Sequence, residues 1–388
     1  MVVGIIAIIV WFVGVFTDPT HQQAMYSYLF AFIFWGSITI GAFGLMLLQG
    51  SLKASWGIPI IRILEAAGGP IMLLLLFILL LPIALPWGMH AVYAWSVPDI
   101  VQKDPIVQQK LWYLTANGFW IRSIVILAIW IIWAGLMRRS TYRQDETLDA
   151  REWNFRSNWG TPGLVMFFLT VTLIATDWAM SVETHYFSTI YGLLFAIGSA
   201  LSAMSLCVLI VLYNSDVTPY RALVTPKLTR DFGNLLFTLT MLWAYMTLSQ
   251  FLITWQANLP MEAAYYVNRT GGNILHGNGG WNVLSILLLT FQFFLPFLAL
   301  LAPRAKRVIP NLIWISAVIF VTRIFNVYWL IFPGVRHAGF LESLGHWTDY
   351  AAFLGVGGIW FGVFALQLVK APLLPRYDSR LLAEAEHA

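Results

Sequence analysis

Residues Ala175–Gly192 read ATDWAMSVETHYFSTIYG, and how this stretch is placed decides the architecture. An apolar run from Pro162 enters it, and another leaves it for Tyr213. Two runs long enough to cross a bilayer, joined by so short a connection, form a hairpin. Asp177 then lies inside the membrane, about a turn and a half below the hairpin tip. A carboxylate at that depth is disfavoured by a few kcal/mol on insertion scales, so it is expected to be paired or functional.

Composition agrees with a membrane chain. Of 388 residues, 59% are hydrophobic and 10% charged, with a mean hydropathy of +0.75; soluble domains carry about 25% charge. The fold class is therefore an all-α polytopic membrane protein. Apolar runs fall at Val2–Phe16, Met25–Leu48, Ile63–Leu85, Tyr113–Met137, Pro162–Val182, Phe187–Tyr213, Phe232–Gln256, Trp281–Ala302, Asn311–Phe332 and Trp347–Val369, which predicts ten spans. The first is short for a crossing; without a basic leader or a small-residue cleavage pattern, it reads as a retained helix.

Small residues recur in the second span, WGSITIGAFG (Trp35–Gly44), and the sixth, IGSALSAMS (Ile197–Ser205), as close helix contacts require. The repeat predicts two four-helix bundles, spans two to five (24–186) and six to nine (187–335), plus two peripheral spans in one integral domain, 1–388, with a tail at 371–388.

Lysines and arginines sort by side. Sixteen fall on the side holding both termini and the even-numbered connections, four (Lys103, Lys110, Arg269, Arg336) on the other, and Arg122 and Arg323 inside spans. This predicts cytoplasmic termini and an outward Ala175–Gly192 hairpin. The same sorting argues against a nucleic-acid surface and leaves the lipid bilayer as the general partner. A single cysteine, Cys207, excludes haem-attachment, zinc and iron–sulfur cysteine motifs, and the seven histidines fall in connections or the tail. No metal ligand set and no cofactor of the chain's own is expected.

Two connections are long. Arg138–Gly160 is charge-dense and reads as a solvated loop or surface helix. In Asn258–Gly280, PMEAAYYVNR predicts a short helix with Pro260 at its first position, followed by a Gly-rich loop.

The candidate proton path begins with the buried charges. Asp177 lies about 8 Å below the outer end of its span, and Arg122 and Arg323 about 13–14 Å below theirs. Arg122, on the antiparallel neighbouring span, is the expected partner of Asp177, with Arg323 the alternative. One reading is a structural ion pair; the other is a relay continuing outward through Glu183 and His185. At the opposite face, Glu65 follows Arg62 by three residues and is either a surface pair or a cytoplasmic proton entrance. Gly68, Gly69 and Pro70 are expected to loosen that helix. Gln250, Gln256, Glu262, Trp255 and Tyr328 are candidate water or quinone contacts, although the aromatics, with Tyr245 and Trp329, read more readily as an interfacial belt.

ATDWAMSVETHYFSTIYG, MLWAYMTLSQFLITWQANLPMEAAYY (Met241–Tyr266) and RIFNVYWLIFP (Arg323–Pro333) together resemble the F subunits of bacterial alternative complex III, in the NrfD-like family. The resemblance runs from the second span onward. It implies ten helices in two bundles and a subunit of a quinol:electron-acceptor oxidoreductase in the bacterial inner membrane. Its partners would be a C-type NrfD-like sister, which holds the quinol site, an iron–sulfur subunit and multihaem cytochrome c subunits. Asp177, Glu183 and His185 match polar positions of the family, which favours Trp where this chain has Tyr186. A purely structural subunit and a secondary transporter are the competing classes; the transporter would need a mid-membrane substrate site.

Overall fold

The computed structural model describes residues 1–18, 20–52, 54–270, 280–336 and 339–375. The Gly-rich loop at 271–279 and the tail from residue 376 lie outside the described residues. Every regular element among the described residues is a helix. Nine of these helices are long and apolar enough to cross a membrane, and the chain is a multi-pass membrane protein. The first run forms a shorter helix, Val2–Thr17, packed along the tenth span. Gly4 and Gly358 touch there, and a Cβ on Gly4 would come within 2.7 Å of the Gly358 backbone.

The second span, Gln22–Leu52, is enclosed by the third, fifth, sixth and tenth. It shows no apolar stripe because its whole circumference faces protein. Its small residues do what their pattern requires: a Cβ on Gly41 would sit 2.0 Å from the Ser199 carbonyl oxygen of the sixth span, Tyr191–Tyr213. The two small-residue stretches therefore meet each other. Large apolar side chains such as Ile121, Ile132, Val165, Leu169, Leu252 and Leu298 remain exposed on other spans, the surface that lipid covers.

The third span is broken where its glycines and proline stand. One helix ends at Gly68, Gly69 is extended (ψ 174), and Pro70 opens the next helix, which runs to Ala84. Gly68 also lies against the Phe43 backbone, at 2.4 Å from its would-be Cβ, so the break coincides with a close crossing.

The charged Arg138–Gly160 segment is not a solvated loop. The fourth span continues to Thr147 and the fifth begins at Ala150, leaving a two-residue turn with Leu148 left-handed (φ 55) and Asp149 capping the Arg151 amide. Helix propensity and buried polar contacts carry both helices beyond their apolar stretches. On the opposite side, Pro260–Thr270 is helical, as Pro260 predicted. The eighth span, Trp281–Leu301, contains a π-helical turn at Leu289–Phe294.

Candidate functional site

The fourth and fifth spans form an antiparallel hairpin that sets the central pair. Thr115 caps the fourth span by accepting from the Gly118 amide, and Arg122 follows within two turns. Asp177 stands in the last turn of the fifth span, whose end is pinned by neighbouring bonds. Trp178 donates to Ser123 Oγ at 3.1 Å, and Tyr93 donates to the Trp178 carbonyl at 3.0 Å. Arg122 Nε donates to Asp177 Oδ2 at 2.7 Å, and Nη2 donates to Oδ1 at 2.9 Å. The Asp177 side chain has no exposure, whereas that of Arg122 keeps 19%.

Tyr113 lies face-on to this pair, its ring centre 3.9 Å from the Arg122 guanidinium carbon. Burial raises the Tyr113 phenol above its usual range; the Asp177 charge adds to this and Arg122 opposes it. Its buried hydroxyl is directed to the Asp177 carboxylate. Tyr113, Thr176, Ser181 and Thr184 line a cavity of about 140 Å³ beside the pair. A buried carboxylate, a guanidinium and hydroxyls beside a cavity can hold and pass a proton, although the rest of the cavity wall is mainly apolar.

Glu183 and His185 do not continue this line. Glu183 Oε1 accepts from Arg269 Nη2 at 2.5 Å. Arg269, fully buried, also donates to the carbonyls of Tyr265 and Leu330, at 2.9 Å each, and lies 3.4 Å over the Tyr265 ring. Tyr186 stacks on Tyr265 at 3.8 Å, so the hairpin tip is stapled to the Pro260–Thr270 helix. His185 Nε2 lies 2.6 Å from Asp104 Oδ2, on a largely exposed contact. The acids and the histidine of the predicted relay thus belong to three separate pairs.

Arg323 is not a partner of Asp177 either. It donates to Ser202 Oγ at 3.2 Å and to Asn326, and packs against Gly198, where a Cβ would meet its Nη2 at 2.4 Å. Depth along the span is similar by residue count, but the partners of Arg323 stand on the sixth and ninth spans and that of Arg122 on the fifth. Glu65 is a further correction. Its pair with Arg62, at 2.6 Å, is buried rather than surface-exposed, because the fourth span extends over it and brings in Thr141 and Asp145. A cavity of about 20 Å³, room for one water, lies against Glu65, Thr141, Gln49 and Arg156.

The candidate quinone contacts are not gathered together. Gln250 accepts from Ser188 at 2.7 Å, while Trp255 and Gln256 are exposed and Glu262 is half-buried. None of the five lines either cavity. Tyr328 belongs to no interfacial belt: it is buried and donates to Asp349 Oδ2 at 3.2 Å. Tyr245 and Trp255 are exposed, as a belt requires.

Asp349 is the principal residue that sequence reading missed. It accepts from Arg336 through both oxygens, at 2.7 and 2.8 Å, and from Ser27 at 2.5 Å. Its signal was present, since it is the one acid in the first turn of the tenth span. Among the described residues no group of three or more His, Cys, Asp or Glu side chains converges on a metal position. Comparison with protein-family models and with curated proteins finds no match to this chain.

Proposed function

We propose that this chain is a non-redox membrane subunit of a quinol:electron-acceptor oxidoreductase of the alternative complex III kind, contributing a proton path and a scaffold. The three quoted motifs support the assignment to that complex. For the proton path, one observation carries the reading: Asp177 is fully buried and gripped by Arg122, with Tyr113, Thr176 and Ser181 beside it on the wall of a cavity. Protonating Asp177 weakens its hold on Arg122, whose partly exposed guanidinium then turns to the Tyr113 side. Releasing the proton to cavity water restores the pair. Glu65, beside its one-water cavity, is the candidate entrance on the basic face.

The sixteen-to-four distribution of basic residues supports a bacterial inner-membrane chain with cytoplasmic termini and the cavity facing outward. Quinol, iron–sulfur clusters and c-type haems are assigned to partner subunits. The buried Glu183–Arg269 and Asp349–Arg336 pairs favour a scaffold at the same face as a second reading.

The deciding experiment uses the whole complex in sealed vesicles. Asp177→Asn keeps the shape and removes the titratable group, so the variant complex is expected to assemble and to release fewer protons per quinol oxidised. Normal assembly with unchanged proton release would leave Asp177 a structural residue and the scaffold reading standing.

A further inference from the structure

The outer cavity has chemistry that the proton path does not use. Its wall includes Lys110, at the end of the short Pro105–Lys110 helix. The Lys110 ammonium donates to the Thr184 and Tyr186 carbonyls, and no carboxylate among the described residues lies within salt-bridge range of it. Asp104, whose charge it feels, is occupied by His185 and by the Ile106 and Val107 amides. Burial pulls Lys110 below the usual lysine range, as expected of a cation partly out of water without an anion.

A further donor faces the same space unpartnered. Thr184 Oγ1 belongs to a residue only 7% exposed and has no hydrogen-bond partner, whereas the Tyr113 hydroxyl on the same wall is directed to Asp177. An orphaned polar group beside a cavity marks a place for a ligand oxygen. The rim is different in kind. Trp112 is 86% exposed and Phe187 projects beside it, at the level where the fourth span begins and the fifth ends. Aromatic side chains standing free at that level lie among lipid headgroups.

We infer that this cavity binds the phosphate of a membrane phospholipid, with Lys110 and Thr184 donating to its oxygens and the acyl chains passing over Trp112 and Phe187. An anion is favoured over a neutral carbonyl head because only an anion compensates the unpaired ammonium. The outward-standing Trp112 favours a lipid over free phosphate, since a small ion makes no use of it. This inference does not rest on the proton-path reading, and its test involves no proton measurement.

The test is native mass spectrometry of the full chain, purified with its partners, after exchange into a non-ionic detergent with added phosphatidylglycerol. The expected result is one phospholipid retained per chain. Retention should fall about tenfold in Lys110→Gln, the scale of one charge-assisted hydrogen bond, and recover in Lys110→Arg. Trp112→Ala, an exposed position whose loss leaves folding intact, should also lower lipid retention. Millimolar inorganic phosphate should not displace the lipid. Equal retention in the parent, Lys110→Gln and Trp112→Ala overturns the inference. So does displacement by inorganic phosphate, which would make this a free-anion site, or retention of a quinone in place of phospholipid.

Discussion

Arg122 holds Asp177 through both carboxylate oxygens, 55 positions apart in sequence and one helix apart in space. The fork geometry satisfies a carboxylate that has no exposed surface of its own. Such a pair adds little net stability over an apolar substitute, yet breaking it from one side leaves a charge stranded.

The asymmetry of that pair yields the first prediction. Arg122→Gln should destabilise the chain by about 3–5 kcal/mol, because it leaves Asp177 buried and uncompensated. The double variant Arg122→Gln with Asp177→Asn should recover most of that loss. Thermal unfolding in detergent of both singles and the double closes the cycle. Additive losses would mean that the two residues do not interact energetically.

A second prediction concerns the seam between the second and sixth spans. Gly41→Ala would bring a methyl group to 2.0 Å from the Ser199 carbonyl oxygen, and backbone cannot rotate away as a side chain can. The spans must separate, at a cost of roughly 1–3 kcal/mol, the range for overpacked cores. Gly345→Ala, with nothing within 4 Å of its Cβ, is the control and should leave the melting temperature unchanged. Similar melting temperatures for the two variants would refute the close crossing.

The third prediction is a pH dependence at the hairpin tip. The hydrogen bond from His185, foremost among several causes, holds the Asp104 carboxyl below its usual range. A carboxyl lowered in the folded state lends stability that is present above its unfolded pKa and is lost as pH falls through the folded value. Local exchange protection of the Pro105–Lys110 helix should therefore persist at mildly acidic pH and fall off only below the ordinary carboxylate range. In His185→Ala the fall should move to higher pH. Hydrogen exchange followed across acidic pH measures both; an unmoved profile in the variant would sever His185 from Asp104.

A fourth concerns Asp349, which ties the start of the tenth span to Ser27, Tyr328 and Arg336. Asp349→Asn strands Arg336, whose side chain is only 9% exposed, and should cost about 3–5 kcal/mol. Tyr328→Phe removes one neutral donor and should cost about 0.5–1.5 kcal/mol. The same unfolding measurement ranks the two, and a reversed ranking would show that the cluster is held by packing rather than charge.

What the sequence determined by itself is everything that depends on position along the membrane normal. Counting residues through apolar runs located the spans and put Arg122 within side-chain reach of Asp177, and the Gly and Pro positions marked the break at Gly69 and the helix at Pro260. Hydropathy and helix rise are both functions of position along one axis, so a linear chain carries them openly. The tertiary structure alone decided what depends on position around that axis. Arg323 is as deep as Arg122 by residue count, yet it faces Ser202 and Asn326, and Glu183 turned to Arg269 instead of extending the line from Asp177. Asp349 reaches Ser27 across 322 positions of sequence. Which neighbour a polar side chain meets is set by the lateral order and rotation of the helices, and these come from packing between distant spans, such as the contact of Gly41 with Ser199.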